Sequence, residues 1–446
     1  MGGDVGSEVA ELLQQLIRNS CVNDGTDESG QEDRSARTIE AVLEGPGLEL
    51  QSYEPIPRRR SVVARIEGRV KGAPSLALVG HTDVVPADPS EWSHDPFGGE
   101  IIDGEVWGRG AIDMLNLTSS MAVAVKHLAS EGFRPEGDLV YVAVADEESL
   151  GTHGSGWLVE HATDDVKTDF LITESGGFPT RTDAGIRLPV IVGEKGAHWC
   201  KLTINGEPGH ASQPLRTDNA LVRAAEIVTR ISTYRPAADL HPAWRRFVTE
   251  LGLPDEITTA LLDPVKIEAF CDTFPGVGLA RQAHACTHTT IAPTMLAAGS
   301  KINVIPDHVE LELDIRTLPG WETPEVLSML EDAIGDLFEH VMVEFLCEDI
   351  STTSPTDTPL WAALQRASSQ HYPGCKLIPF LTVGATDARF FRRLGTVAYG
   401  FGLFSERMTF EDYAVMFHGI DERVDVDSLG LTADLWDNLA RDTLSG

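Results

Sequence analysis

The sequence lacks any apolar run long enough to cross a membrane, and its N-terminus lacks the features of an export signal. A bilayer-spanning helix needs about 20 consecutive apolar residues, and no segment of the 446-residue chain approaches that length. The first residues, Met1 to Ser7, contain no basic residue followed by an apolar run. We therefore predict a cytoplasmic protein that has no membrane partner.

Basic residues are scarce relative to acidic ones. The chain has 35 Lys and Arg residues against 69 Asp and Glu residues, which gives a formal net charge of −34 at pH 7. This charge repels the phosphates of nucleic acids and of anionic lipids, so we expect neither as a partner. An anionic small-molecule substrate would need a local Arg or Lys to overcome the overall field.

Closely spaced cysteines are also missing. The six cysteines are scattered and form no C-x-x-C pair, so in a long chain without an export signal we expect them to be reduced and mostly buried. The composition is otherwise balanced, because 42% hydrophobic and 23% charged residues are typical of a globular protein. The length fits two domains better than a single core.

Two strand patterns divide the chain. Segments such as Leu139–Ala145 are continuous apolar runs that suit strands buried on both faces, and helix-length segments separate them. This spacing predicts an α/β fold with a mostly parallel sheet. From about Gly193, strands such as Cys200–Asn205 and Val309–Ile315 instead alternate apolar and polar residues, as half-exposed antiparallel strands do.

The change of pattern predicts two domains. We expect residues 1–192 and 351–446 to form one domain around the mostly parallel sheet. Residues 193–350 would form an inserted α+β domain. The Ser/Thr/Pro-rich segment Ser351–Pro359 marks the return of the chain to the first domain.

Acidic residues and histidines gather where predicted strands and one Gly-rich turn end; they are His81, Asp83, Asp113, Glu147, Glu148 and Glu174. Ligands of open α/β sheets bind at the carboxyl ends of the strands, so we expect these side chains at one rim. Each residue alone has an ordinary structural explanation. Asp83 or Asp113 could cap a turn or helix, and the two adjacent glutamates could form a solvated strand end.

The convergence of these groups favours a metal site. Unpaired carboxylates that lie close together repel one another and raise one another's pKa values. A divalent cation would remove this repulsion. Imidazole together with carboxylates is a suitable donor set for zinc.

Short motifs along the chain occur in an order known from one enzyme family. They are V-G-H-T-D-V-V-P (79–86), W-G-R-G-A-I-D-M (107–114), A-D-E-E-S (145–149), T-E-S-G-G (173–177), G-H-A-S-Q-P (209–214), N-V-I-P (303–306), D-I-R-T-L-P-G (314–320) and G-A-T-D-A-R-F-F (384–391). They resemble the dizinc aminoacylase/carboxypeptidase family of metallopeptidases, which includes acetylornithine deacetylase, succinyl-diaminopimelate desuccinylase, aminoacylase, carboxypeptidase S and glutamate carboxypeptidase. The resemblance runs from about residue 75 to the C-terminus.

The resemblance implies a zinc-hydrolase catalytic domain with an inserted lid or dimerisation domain, through which a homodimer could form. It also implies two zinc ions per subunit, with cobalt or manganese as alternatives. The implied ligands are His81 and Glu174 on one ion, Glu148 and His418 on the other, and Asp113 as a bridge between them. The assignment of His418 depends on the resemblance alone, because its surroundings otherwise favour a packed surface histidine.

The same resemblance implies roles beside the metals. Glu147 would be the general base, which takes a proton from the metal-bridging water and later gives it to the leaving amine. Asp83 lies two residues after His81 and points the same way on an extended chain, so it would hold the ring nitrogen that is not on the metal. His210 of the inserted domain would donate a hydrogen bond to the oxyanion, often in the site of the partner subunit.

Other residues resemble those that bind the substrate. Asn303 and Arg316, on neighbouring predicted strands, would bind a substrate carboxylate, and Gly384 and Thr386 would add backbone contacts. Arginine suits this task through its bidentate fork, and it supplies the local positive charge that this acidic chain needs. A plain surface ion pair remains the alternative for Arg316.

The implied function is hydrolysis of the amide bond of an N-acyl amino acid or small peptide with a free carboxylate, through a metal-bridging hydroxide. Two alternatives stay open. One is hydrolysis of another C–N bond, in a ureido group or an arylamine, and the other is a non-catalytic homologue that binds peptides. Neither the acyl group nor the amino acid can be named from the sequence.

The sequence departs from its relatives at two places. Leu115 and Asn116 stand after Asp113-Met114, where many relatives have Lys-Gly, so we expect an intact metal site beside a changed pocket. The inserted segment 234–292 is longer than a simple lid and resembles that of carboxypeptidase S-like and aminoacylase-like members. We expect its His284 and His288 to be structural or to line the pocket, without a ligand role.

Overall fold

The computed structural model describes residues 2–445. Its helices are α1 (Gly2–Asn19), α2 (Asp33–Leu43), α3 (Leu115–Ser130), α4 (Trp157–His161), α5 (Thr163–Val166), α6 (Ala220–Thr233), α7 (Pro242–Leu251), α8 (Asp255–Leu261), α9 (Lys266–Thr273), α10 (Val277–Thr287), α11 (Thr323–Ile334), α12 (Pro359–His371), α13 (Ala388–Arg393), α14 (Phe410–Met416) and α15 (Val426–Leu444). Within residues 2–445, no helix is both long enough and apolar enough to span a bilayer.

The strands are β1 (Glu49–Tyr53), β2 (Ser61–Ile66), β3 (Leu76–His81), β4 (Glu100–Ile102), β5 (Glu105–Trp107), β6 (Leu139–Val144), β7 (Phe170–Thr173), β8 (Thr180–Thr182), β9 (Gly185–Glu194), β10 (Gly196–Asn205), β11 (Gly209–His210), β12 (Thr290–Ala298), β13 (Val304–Ile305), β14 (His308–Thr317), β15 (Val341–Asp349), β16 (Thr352–Thr353), β17 (Lys376–Thr382), β18 (Val397–Gly400) and β19 (Arg423–Asp425). Most of them belong to two sheets.

The larger sheet has ten strands, in the order β1-β2-β6-β3-β7-β18-β9-β16, with β8 and β17 also paired to β9. Its centre, from β6 through β3 and β7 to β18, is parallel, whereas β1, β2, β8 and β16 pair antiparallel at the margins. The α/β class with a mostly parallel central sheet is therefore confirmed. The apolar sequence of β6 follows from this position, because Tyr141 and Val142 point into apolar cores on opposite faces of the sheet.

Helices cover both faces of this sheet. α1, α3 and α15 pack against one another on one face. Asp425 caps the start of α15, and its side chain accepts a hydrogen bond from the backbone N–H of Ser428. On the opposite face, Leu158 of α4 and Phe391 of α13 join the apolar core. The parallel strands are thus enclosed, and their carboxyl ends are left as the rim on which ligands can bind.

The smaller sheet is antiparallel, in the order β12-β14-β10-β15. Its strands alternate as predicted, and Val309, Leu311, Leu313 and Ile315 of β14 are buried while the residues between them are partly exposed. α6 and α11 supply the rest of this core. The inserted part of the chain therefore has an apolar core of its own.

Four short helices, α7 to α10, lie between α6 and β12 in the sequence. They enclose a small core that includes Trp244, Val248, Ile267 and Cys286, and Phe380 of β17 packs against it. This group of helices joins the inserted part of the chain to the larger sheet next to β17.

The chain passes between the two sheets through very short connections. Only Lys195 separates β9 of the larger sheet from β10 of the smaller one. Its ammonium group donates to the carbonyl oxygens of Ala285 and His288, at 2.9 and 2.7 Å. The chain returns at Thr352, which pairs with Glu194 at the end of β9. The predicted boundaries at residues 192/193 and 350/351 lie next to these connections, and the division into two domains stays a prediction.

Candidate metal centre

The acidic residues and histidines predicted to converge do lie at one rim of the larger sheet. His81 is the last residue of β3, Glu147 and Glu148 follow the end of β6, and Glu174 follows β7. These three strands are parallel neighbours, so their carboxyl ends meet at the same edge. Asp113 reaches this edge from the loop before α3.

Five of the predicted residues form two groups that share one member. In the first group, His81 Nε2 lies 3.2 Å from Asp113 Oδ1 and 3.9 Å from Glu174 Oε2. In the second, His418 Nε2 lies 2.9 Å from Asp113 Oδ2 and 3.2 Å from Glu148 Oε2. Within each group the potential ligand atoms lie within 4.8 Å of one another. Asp113 therefore presents one oxygen to each group.

The donor atoms in these groups fit divalent metal ions. Each group combines one imidazole nitrogen with two carboxylates, which is a donor set suited to zinc and to similar ions. Glu148 Oε1 is buried and has no hydrogen-bond partner among residues 2–445. A buried acceptor without a partner costs free energy unless a cation or a donor satisfies it.

The acid groups perturb one another strongly. Burial raises the pKa of Glu174 well above its usual value, and the charges of Glu147 and Asp113 raise it further. Burial and the charge of Asp113 also raise the pKa of Glu148. Burial alone would lower the pKa of His418, but its hydrogen bonds to Asp113 and Glu148 raise it to about 10. A bound divalent cation would stabilise these carboxylates in their charged form.

Asp83 lies beneath the first group, but its contacts differ from the predicted one. His81 Nδ1 lies 2.9 Å from the backbone carbonyl oxygen of Asp83 and 3.6 Å from its carboxylate Oδ1. The carboxylate instead accepts hydrogen bonds from the backbone N–H groups of Glu147 and Glu148, at 3.3 and 3.1 Å, and from Asn23 Nδ2 at 2.8 Å. Asp83 thus orients His81 through its main chain and the two glutamates through its side chain.

Glu147 lines the same cavity as Asp113 and Glu174. Burial raises the pKa of Glu147 well above its usual value, and the charge of His81 opposes this shift. The residue before it, Asp146, has a left-handed backbone with φ of 72°. Non-glycine residues adopt this conformation at a cost, and they concentrate at functional sites.

The same backbone feature occurs at two other places in the centre. Ser175, directly after Glu174, has φ of 72°, and His418 itself has φ of 56°. Each of these residues turns the chain at a predicted ligand or next to one. The energetic cost is of order 1–3 kcal/mol per residue, and the surrounding structure must supply it.

Glu422 holds the loop that carries Asp113, and the sequence did not identify it. Its buried carboxylate accepts hydrogen bonds from the backbone N–H groups of Gly110, Ile112 and Asp113, at 2.9, 2.6 and 2.9 Å, and from Arg109 Nη1 at 3.0 Å. Burial raises its pKa to about 7, and the charge of Arg109 and these hydrogen bonds limit the shift. The only signal in the sequence is its position four residues after His418.

A cavity of about 490 Å³ opens beside the two groups. Of the residues predicted to bind substrate, Arg316, Gly384 and Thr386 line it. Much of the remaining wall is aromatic and comes from Phe178, Trp199, Phe380, Phe410, Tyr413 and Phe417. His210 and Asn303 are exposed in the inserted part and are not among the described residues that line the cavity.

Comparisons with known proteins identify the family of the chain. Residues 77–442 match the family described as Peptidase family M20/M25/M40. The N-fatty-acyl-amino acid synthase/hydrolase PM20D1 of Xenopus tropicalis is 28% identical over 396 residues, which cover 85% of this chain and 74% of that protein. Aminoacylase-1 of Homo sapiens is 28% identical over 386 residues, which cover 85% of this chain and 82% of that protein.

A solved structure shares the fold over nearly the whole chain. The M20 family metallo-carboxypeptidase Sso-CP2 of Sulfolobus solfataricus has a TM-score of 0.73 and 18% identity, and the similarity covers 98% of this chain and 99% of that one. The resemblance inferred from the short motifs is therefore confirmed. Because the family match includes most of the sequence, the chain belongs to peptidase family M20/M25/M40 and is a hydrolase.

Proposed function

We propose that the chain is a dinuclear zinc hydrolase that cleaves the amide bond of an N-acyl amino acid or a short peptide with a free carboxylate. The observation that carries this proposal is the position of Asp113, whose two oxygens face two histidine–carboxylate groups at once. His81 and Glu174 would hold one ion, and Glu148 and His418 would hold the other. Cobalt or manganese could bind the same donors.

When bound, the two ions would lower the pKa of a water molecule and polarise the scissile carbonyl. Glu147 is suited to take the proton of the attacking water, because its carboxylate lines the cavity beside Asp113 and Glu174. A carboxylate in this position can accept that proton as a general base. The same carboxyl group would then pass the proton to the leaving nitrogen.

Arg316 would bind the carboxylate of the substrate. Its guanidinium lies 5.6 Å from the centre of the Trp199 ring at the cavity wall. Its Nε and Nη2 donate to Asp314 at 2.7 and 3.1 Å, which fixes the plane of the group. We assign the substrate contact to Nη1. Arg316 would then keep its ion pair with Asp314 and bind the substrate carboxylate at the same time.

Arg389 would position the loop that completes this end of the cavity. Its Nη1 donates to the carbonyl oxygen of Thr386 at 2.6 Å, and its Nε pairs with Asp349 Oδ2 at 2.6 Å. The loop from Gly384 to Thr386 is thereby fixed against the inserted part of the chain. Its exposed backbone groups would meet the substrate beside Arg316.

A homodimer through the inserted domain would bring His210 to a second site. His210 is exposed, and large apolar side chains near it in the sequence and near Asn303 are exposed as well, with Leu215 86% and Ile302 99% accessible. The interface of such a dimer would bury these side chains. In such a dimer, His210 would donate to the oxyanion in the cavity of the other copy.

The test is a panel of N-acyl amino acids and dipeptides, assayed with zinc-reconstituted protein and with a chelator control. We expect hydrolysis of members that carry a free carboxylate, and we expect the chelator to remove it. Glu147→Gln should abolish turnover while the metal content stays at that of the wild type. Glu160→Gln is the matched control, since Glu160 is exposed on α4.

Two outcomes would count against the proposal. Unchanged activity of Glu147→Gln would exclude this residue as the base. Inactivity toward every amide, together with turnover of ureido or arylamine compounds, would move the assignment to another C–N bond.

A further inference from the structure

A second place in the molecule, outside the catalytic cavity, gathers metal-binding side chains. Glu268 of α9, His284 of α10 and His288, just beyond the end of α10, each offer a ligand atom within 4.8 Å of the others. His288 has an extended backbone just past the helix, and its ring still lies against that of His284. Their rings stack with centres 4.2 Å apart and planes inclined by 7°.

Hydrogen bonds fix the orientation of the His288 ring. His288 is fully buried, and its Nδ1 lies 3.0 Å from the carbonyl oxygen of His284. A carbonyl oxygen can only accept, so we assign the ring proton to Nδ1. The lone pair of Nε2 then points toward Glu268 Oε1, 2.7 Å away. A lone pair and a carboxylate at this distance repel each other unless a proton lies between them or one cation binds both atoms from the side.

The second imidazole favours the metal ion. In the described part of the chain, the ring nitrogens of half-buried His284 have no hydrogen-bond partner. A simple ion pair between His288 and Glu268 would not require this third group. Metal-binding histidines also commonly donate their other ring N–H to a carbonyl oxygen, as His288 does.

We propose that Glu268, His284 and His288 bind a divalent cation of the zinc class at a third, structural site. Two imidazole nitrogens and one carboxylate form a three-ligand zinc set, and water can complete it because the Glu268 side chain is 34% exposed. The ion joins α9 to the end of α10. The proposal differs from the sequence-based expectation that the two histidines have no ligand role.

The site matters because of what α10 carries. Gln282 of α10 lines the catalytic cavity together with Arg316 and Phe380. The core beneath α7 to α10 is small, and helices this short gain little stability from their own hydrogen bonds. A metal ion that fixes the end of α10 therefore stabilises one wall of the cavity.

The first experiment measures bound zinc by mass spectrometry in full-length protein after dialysis against zinc. We expect His284→Ala to contain about one ion per chain less than the wild type. A double variant of the catalytic centre, His81→Ala with His418→Ala, should keep the third ion. This comparison separates the new site from the catalytic centre, whichever way the proposed function is decided.

A matched control excludes an effect of histidine removal as such. His127 Nε2 lies 2.6 Å from Glu8 Oε2, which forms a histidine–glutamate pair without a second imidazole. His127→Ala should leave the zinc content unchanged. Glu268→Gln is a second variant at the site; it keeps the size of the side chain and should weaken zinc binding at least tenfold.

The second readout is thermal unfolding of chelator-treated protein with and without added zinc. We expect zinc to raise the Tm of the catalytic double variant, and we expect His284→Ala in that background to remove the shift. If His284→Ala, Glu268→Gln and His127→Ala all retain the zinc content and the Tm response of the wild type, His288 and Glu268 form an ion pair only, and the proposal is wrong.

Discussion

Asp83 connects several parts of the centre through one residue. Its carboxylate orients the backbone of Glu147 and Glu148, while its carbonyl oxygen orients His81. A change at Asp83 therefore alters both candidate metal groups and the candidate base without removing any of them. A variant at Asp83 can therefore test how much the position of the ligands matters while the ligands themselves stay the same.

We expect Asp83→Asn to weaken metal binding by about 10–100-fold, because an amide replaces one of the two acceptor oxygens with a donor that opposes the N–H groups of Glu147 and Glu148. Competition with a chelator of known affinity measures the change. Asp88→Asn serves as the control, since the carboxylate of Asp88, in an exposed turn, accepts hydrogen bonds from Ser90 alone within residues 2–445. Equal affinities of the two variants would contradict the role of Asp83.

At this scale the sequence predicted which residues meet, but not all their contacts. His81, Glu148 and Glu174 follow apolar strands, and parallel strands bring their ends together, so their proximity could be predicted. The contact of His81 with the carbonyl oxygen of Asp83, in place of its carboxylate, could not be predicted, because it depends on the local conformation of the backbone. The role of Glu422 was not predicted for a similar reason. A carboxylate that accepts hydrogen bonds from backbone N–H groups requires no particular neighbours in the sequence.

Among the elements, β18 and β7 fix the position of Glu174. Gly400 ends β18, and a methyl group at this position would overlap the carbonyl oxygen of Glu174 and approach Cβ of Ile191. The larger sheet thus needs glycine here because the chain leaving β7 passes directly against β18.

We expect Gly400→Ala to displace Glu174 and to lower both the metal content and kcat/KM by at least tenfold, because a backbone oxygen has to move. Metal analysis and steady-state kinetics measure the two effects. Gly45→Ala is the control, since no atom of the described residues lies within 4 Å of its added methyl group. Wild-type kinetics of Gly400→Ala would show that the sheet can adjust without moving the ligand.

The segment from α14 to β19 holds the loop before α3 through Glu422. We expect Glu422→Gln to destabilise the protein by about 1–3 kcal/mol, because the new amide cannot accept all of the hydrogen bonds from Gly110, Ile112 and Asp113. Denaturant unfolding measures this loss. Glu411→Gln, on the exposed side of α14, should leave the free energy of unfolding unchanged, and equal losses in both variants would refute the explanation.

Helices and strands could be predicted where their apolar residues recur in a clear pattern along the sequence. The run Leu139–Ala145 became β6 within one residue, and the alternating segment Val309–Ile315 lies inside β14. The four helices α7 to α10 were not predicted, because each has 11 residues or fewer and their core includes Phe380 from a distant strand. The sequence offers no local sign of such a contact.

For the whole molecule, the proposed dimer makes a prediction about mixing inactive variants. Glu147→Gln removes the base, and His210→Ala removes a group that would act in the other copy. A heterodimer of the two would contain one complete site, so co-refolding should restore about a quarter of wild-type activity. Absence of any recovery, with dimers shown by light scattering, would place His210 outside the partner's site.

The net charge of −34 has a kinetic consequence for substrates with a free carboxylate. The overall field repels them, and salt screens this repulsion over a Debye length of about 10 Å at 0.1 M. We expect kcat/KM for N-acyl amino acids to rise several-fold between low and moderate ionic strength, whereas uncharged amides of the same acids should show no such rise. The opposite trend would indicate that Arg316 dominates the approach of the substrate.

The arrangement of strands in the larger sheet could not be read from the sequence. β18 inserts between β7 and β9 although more than two hundred residues separate it from β7. Such pairings depend on which apolar faces meet in three dimensions. An alternating or continuous apolar pattern indicates a strand but not the strand with which it pairs. The predicted domain boundaries at residues 192/193 and 350/351, by contrast, rest on a visible change of pattern in the sequence.

The pairing of Thr352 with Glu194 also bears on how this architecture can be rebuilt. The chain leaves the larger sheet and re-enters it at hydrogen-bonded neighbours, whose Cα atoms in an antiparallel ladder are about 5 Å apart. A short turn could therefore join the two points and delete everything between them without lengthening or reordering a single strand. The position is therefore a suitable insertion point. Segments of very different size could be exchanged there while the metal-binding rim keeps its shape.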